Sequence, residues 1–302
     1  MGGCGFIGSH LSESLVKEKH EVVSLDINTE NRMSKETIVI NDTVLDKISL
    51  WNHIKEHKPD AVIHLAAESI AKECDTHPAI ALETNVGGLI NSLNGARNFG
   101  VSYFVFISSS FVYGDFQYPS ASEDHPLNPK GVYGGTKKAG EVLVQTFCKR
   151  YGIDYTIIRP SAVYGYGDRN NRVVQVLLER ALRGKPLILE GAEQIIDFTY
   201  KEDTVEGIYL AVTKQEGRNQ IFNITRGYGR SLGELAKIIS GLVPDAEIIE
   251  SKHDENRPKR GSLDIYKARS LLGYNPKWAL EDGVKQYLAD IKLSKQPLNG
   301  KI

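Results

Sequence analysis

The chain has 302 residues, 41% hydrophobic and 25% charged, with a formal net charge of −1. This composition suits a globular protein of one large domain and a smaller one, and it gives no general pull on nucleic acid or an anionic membrane, so neither is expected as a partner. No apolar run reaches the ~18 residues that cross a bilayer. The three cysteines, Cys4, Cys74 and Cys148, are odd in number and widely spaced, as expected of reduced thiols in a cytoplasm; a disulfide frame or metal site is disfavoured.

The first element is a loop, Gly2-Gly3-Cys4-Gly5-Phe6-Ile7-Gly8. Glycines at this spacing let the backbone turn tightly and approach a pyrophosphate, and a helix predicted over 9–19 points its first amides at the phosphate charge. Such a loop normally follows a buried strand. Here that strand would precede residue 1. It is therefore expected to be missing from this chain, with segments 22–25 and 103–107 as its neighbours, and the natural protein is expected to begin upstream with an apolar stretch. Residues 21–26 read as the next strand and end in Asp26, 18 residues after Gly8. An acid at about that distance accepts the adenosine ribose hydroxyls and repels a 2′-phosphate, favouring NAD over NADP.

Further along, 44–57 is predicted helix, 61–65 strand, 80–99 helix, 103–107 a fully apolar strand, 132–151 a long helix and 155–159 a strand. Repeated βα units argue for an α/β fold with a doubly wound parallel sheet of the Rossmann type. After about residue 166 the rhythm breaks into polar, glycine-rich stretches with helices over 173–183, 232–242 and 280–293. This gives a cofactor-binding domain at 1–165, to which 195–225 returns, and a smaller C-terminal substrate lobe at 166–302. The last ten or so residues are polar and expected to fray.

Tyr133 and Lys137 stand four residues apart in a predicted helix, hence on one face. A lysine beside a phenol stabilises the phenolate and lowers the tyrosine pKa from its reference of ~10, which would make Tyr133 a general base and acid. Ser108-Ser109-Ser110 follows a buried strand, at the end where ligands bind in such sheets. The eight histidines show no metal-ligand spacing, so no metal is expected.

These segments occur in order with His64-Leu65-Ala66-Ala67, Asn85-Val86-Gly87-Gly88, Ser109-Ser110-Phe111-Val112-Tyr113-Gly114, Arg159-Pro160-Ser161-Ala162-Val163-Tyr164-Gly165, Asp197-Phe198-Thr199-Tyr200, Arg257-Pro258 and Leu272-Gly273-Tyr274-Asn275-Pro276. Over nearly its whole length the chain resembles an extended short-chain dehydrogenase/reductase of the NAD-dependent epimerase/dehydratase group, whose members act on nucleotide sugars. The resemblance implies that Gly2, Gly5, Phe6, Ile7 and Gly8 hold the NAD pyrophosphate and Asp26 the ribose. Asp42 and Thr43 would touch the adenine, Leu65, Ala66 and Ala67 line the path to the nicotinamide ribose, and Asn85 help order the cofactor site. Ser109, Tyr133 and Lys137 would be catalytic, with Lys137 also on the ribose. Ser109, Ser110 and Tyr133 would meet the sugar and Arg257 the substrate diphosphate. The helices near 80–99 and 132–151 would build a four-helix homodimer interface.

Departures narrow the chemistry that the resemblance implies. The 4,6-dehydratases carry Asp-Glu where this chain has Ser110-Phe111, and the decarboxylases carry a glutamate at the Phe111 position. What remains is 4-epimerisation through a transient 4-keto sugar, of the UDP-glucose/UDP-galactose type. Reduction of a nucleotide 4-keto-deoxysugar is the alternative, and a non-catalytic NAD-binding sensor is the reading from another class. Pro160-Ser161 and Ile196 stand where UDP-sugar epimerases usually carry other residues, which leaves the nucleotide open.

Overall fold

A computed structural model describes residues 1–30, 34–244, 246–252 and 257–294; the tail 295–302 lies outside the described residues. Six strands build the central layer: β1 (Val23–Asp26), β2 (Ile38–Asn41), β3 (Ala61–His64), β4 (Tyr103–Ile107), β5 (Asp154–Pro160) and β6 (Gln220–Ile224). All pairings among them are parallel, with β1 beside β2 and the order β6-β5-β4-β3 in the larger portion. Parallel strands covered on both faces need continuous apolar runs, and β4 is buried at all five positions.

The pleat sends alternate side chains of β4 to two cores. Tyr103, Val105 and Ile107 join Leu11 and Leu15 of α1 (Phe6–Lys17) on one face. Phe104 and Phe106 join Leu50 and Ile54 of α2 (Lys47–His57), Leu89 and Leu93 of α3 (Gly88–Asn98) and Val144 of α4 (Gly131–Tyr151) on the other. Burial of each such side chain contributes roughly 1.5–3 kcal/mol. Gly140 matters to this packing. A Cβ there would stand 2.6 Å from Phe106 Cζ, so its absence lets α4 lie close against β4.

The two sheet portions meet through the first residues of the chain. Met1 N donates to Ile63 O at 2.9 Å, Leu65 N to Met1 O at 3.0 Å, and Gly2 N to Leu25 O at 2.8 Å. Met1 and Gly2 thus sit between β1 and β3. Segment 103–107, expected to face that position, is instead paired on both sides, by β3 and β5. The helix expected over 80–99 is also interrupted. Pro78–Leu82 is followed by a π-helical turn, Glu83–Gly87, before α3 begins.

In segment 195–225, α5 (Lys201–Thr213) packs on α1, and β6 extends the sheet beside β5. The helices Val173–Leu182, Leu232–Leu242 and Leu280–Leu293 enclose a separate apolar core around Leu177, Leu235, Ile239 and Val284. Among the described residues no helix is long and apolar enough to cross a membrane.

Candidate active site

A cavity of about 690 Å³ opens at the carboxyl ends of the strands, with Arg172, Val174, Leu232 and Arg260 among the residues of its far wall. The phosphate loop forms its floor. Gly8 must lack a side chain, because a Cβ would stand 2.1 Å from Gly2 O. Gly5 occupies the N-cap of α1 without a capping side chain, and the first turn holds no acid, so the first amides of the helix are open to an anion. Asp26 is fastened to the same loop: Cys4 N donates to Oδ2 at 3.0 Å and Asn28 N to Oδ1 at 3.1 Å. Asp42 and Thr43 line one end of the cavity, and Leu65, Ala66 and Ala67 lie along its wall. Asp42 accepts from Thr43 N at 2.7 Å, from His53 Nε2 at 3.0 Å and from Ser49 Oγ. Burial acts to raise its pKa, but these bonds outweigh it and hold the carboxyl below its ordinary value. A glycine cradle at a helix N-terminus, with a carboxylate at the end of β1, fits a dinucleotide whose ribose carries free hydroxyls.

Tyr133 and Lys137 project from α4 into the cavity, and Ser109 reaches it from the end of β4. The Tyr133 hydroxyl bonds Ser109, and the Tyr133 ring meets Phe111 edge-on at 5.5 Å. Lys137 Nζ lies 5.9 Å from the Tyr133 ring centre and donates to Ile107 O at 2.8 Å. Burial pushes Lys137 down to about 8, against the charges of Cys74 and Glu141. Burial also raises the Tyr133 phenol, opposed by the guanidinium of Arg172 and the bond to Ser109. Ser110 Oγ donates to Ser161 Oγ at 3.1 Å beneath the cavity wall.

Two expected residues are placed otherwise than as direct, buried contacts of the cavity. Asn85 does not line the cavity. Its Oδ1 accepts from Glu68 N at 2.7 Å, and its Nδ2 donates to Glu68 O and Thr136 Oγ1, each at 3.0 Å. It therefore ties the segment after β3 to α4. The π-turn that holds it is a feature often found at functional sites. Arg257 lines the cavity but is largely exposed and pairs with Glu190 at 3.1 Å. Arg260 stands 5.0 Å above the Phe111 ring, and burial together with Arg257 lowers its pKa to about 10.

Below the site lies a buried network that sequence reasoning missed. Arg159 of β5 is bidentate to Glu141 of α4, at 2.9 and 2.6 Å, and Ser108 Oγ donates to the same carboxylate at 2.5 Å. Arg159 also donates to Tyr113 OH at 2.9 Å. The pair is within 3% of fully buried, so it needs every one of these bonds. It locks α4 to the ends of β4 and β5, and so fixes the distance from Tyr133 to Ser109. A glutamate one turn beyond Lys137 was the available signal.

The comparisons with known proteins agree with this geometry. The model of the NAD dependent epimerase/dehydratase family matches residues 1–225. A UDP-glucose 4-epimerase of Mycolicibacterium smegmatis is 31% identical over 300 residues, which cover 94% of this chain and 94% of the relative. The crystal structure of the Thermotoga maritima UDP-glucose 4-epimerase with UDP-glucose superposes with a TM-score of 0.90 at 29% identity, covering 96% of this chain and 97% of the other. The UDP-glucuronic acid 4-epimerase of Bacillus cereus, in complex with UDP-glucuronic acid and NAD, gives 0.88 at 27% identity, covering 96% and 97%. With its Rossmann sheet and glycine cradle, the chain belongs to the NAD-dependent epimerase/dehydratase family.

Proposed function

We propose that the protein epimerises a nucleotide-diphosphate sugar at C4 through a transient 4-keto sugar. The observation that carries this reading is the composition of the site around Tyr133. Ser109 and Lys137 accompany the phenol, while Phe111 presses its ring edge-on against Tyr133 where a second acid/base group would stand. Elimination of water needs such a second group; removal and return of hydrogen at one carbon does not. NAD, when bound in the cradle, supplies a reversible hydrogen acceptor beside the sugar.

The chain's own residues do the rest. Tyr133 takes the C4 hydroxyl proton and gives it back, Ser109 orients the same oxygen, and Lys137 adds positive charge beneath it. Arg257 and Arg260 meet the diphosphate of the substrate; burial weakens the hold of Arg260 on its proton, and the same low dielectric strengthens its attraction to an anion. Asn85 acts on the site by holding α4 in place. Three buried cysteines, none in a disulfide among the described residues, support a cytoplasmic setting. The exposed apolar side chains of Ile90 on α3 and Val142 on α4 support a homodimer built on these helices.

A nucleotide sugar deuterated at C4 tests the reading. Retention of the label in the C4 epimer, with no net consumption of reduced cofactor, is the expected result. Net conversion of a 4-keto-deoxysugar at the expense of reduced cofactor would assign the protein to the reductases instead.

A further inference from the structure

We propose that His53, Glu56 and His57 in the last turn of α2 form a site for a divalent transition metal ion such as zinc, separate from the catalytic residues and joined to the cofactor cavity through one hydrogen bond. The histidine spacing alone predicts no metal, because ligands on a helix meet only once the helix is formed. Residues three and four apart then share one face. One ligand atom from each of His53, Glu56 and His57 lies within 4.8 Å of the other two. A tetrahedral zinc ion, with bonds of about 2.0–2.2 Å, holds its ligand atoms about 3.3 Å apart. Small rotations of side chains at the surface close that difference. Two imidazoles and a carboxylate favour zinc, nickel or copper over magnesium and calcium, which prefer sites of oxygen alone.

Two observations besides proximity point to a metal. The first is how His53 is held. Its Nε2 lies 3.0 Å from Asp42 Oδ2, and Asp42 also accepts from Thr43 N at 2.7 Å and from Ser49 Oγ. A carboxylate only accepts, so in the neutral ring Nε2 carries the proton and Nδ1 keeps its lone pair. A carboxylate that holds one nitrogen in this way orients the other toward a metal and makes it a better donor. The second is the place on the helix. His57 is the last residue of α2, where the unpaired carbonyls carry partial negative charge and favour a cation.

The presenting face is fixed from beneath. Leu50 and Ile54 of α2 are buried in the core shared with α3 and α4, and Trp51 Nε1 donates to Asn91 O of α3 at 3.0 Å. The helix cannot turn about its axis without breaking these contacts. His53 and His57 therefore stay half-buried and Glu56 exposed, with room for water at the fourth tetrahedral position. Asp42 also lines the cofactor cavity, so the bond that orients His53 ends in the cavity wall.

The test is a titration of the full chain, first treated with a chelator, with zinc alone against a colorimetric zinc indicator. One zinc ion per chain should bind, and an excess of magnesium or calcium should not displace it. Asp42→Asn should weaken zinc binding by about 10–100-fold, the usual cost of losing a group that orients a ligand, and His57→Gln by at least as much. Circular dichroism checks the fold of each variant. Should either not fold, Glu56→Gln at its exposed position decides in its place, with a loss of about tenfold or more expected. Absence of stoichiometric binding, displacement by magnesium or calcium, or an unchanged zinc affinity in any folded variant of the three would overturn the proposal. The titration contains neither NAD nor sugar, so its outcome is independent of the proposed reaction.

Discussion

Tyr133→Phe removes the hydroxyl and keeps the ring against Phe111. Turnover should fall by on the order of 10² or more while substrate binding survives, the usual share of a general acid–base group. Steady-state rates together with equilibrium binding of the nucleotide sugar check this, and near-normal turnover would remove Tyr133 from the mechanism. Lys137 carries a pH signature. Burial brings its folded pKa to about 8, below the ordinary lysine value of about 10.5, so above pH 8 the folded protein binds fewer protons than the unfolded chain. Burial of the charge therefore costs stability below pH 8, and the cost disappears as pH rises from about 8 to 10.5. Lys137→Met should be inactive and yet more stable than the parent at pH 7, by about 1–3 kcal/mol. Denaturant melts across that pH range should show the difference shrinking; a constant difference would mean that Lys137 is not buried as a cation. The glycine loop, Asp26 and the Tyr133–Lys137 pair were legible in the sequence because their spacing fixes their chemistry. The Arg159–Glu141 pair was not, since an ion pair between a strand and a helix 18 residues apart has no period to reveal it.

At the level of elements, the position of α4 on β4 sets the site. Gly140→Leu would drive a side chain into Phe106. Overpacking of this kind costs about 1–3 kcal/mol, and kcat should fall well beyond that penalty because Tyr133 and Lys137 move with the helix. Urea melts and initial rates on the same sample separate the two effects. Strand β4 was readable from its unbroken apolar run. The break in the helix before α3 was not, because a π-turn needs no distinctive composition; it places Asn85 against α4. The helix α5 was also missed as an element, since its buried side includes Asp203 and Thr204. Asp203 is satisfied by distant backbone, Lys277 N at 2.7 Å and Trp278 N at 3.0 Å, which sequence periodicity cannot show.

For the whole molecule, the proposed homodimer and the proposed reaction can be tested separately. Val142 is 53% exposed and Ile90 41% exposed, on neighbouring helices of the cofactor half. Val142→Glu combined with Ile90→Glu should shift sedimentation from dimer to monomer while leaving the fold intact, because neither side chain belongs to a buried core. Sedimentation of the parent protein as a monomer would remove the dimer from the account. The most direct test of the central claim is incubation of the protein with NAD and a panel of UDP-, dTDP- and GDP-hexoses, with products identified by chromatography. One nucleotide sugar should reach equilibrium with its C4 epimer, without net oxidation or reduction. Accumulation of a 4-keto-6-deoxy product, seen as a mass loss of one water, would contradict the account.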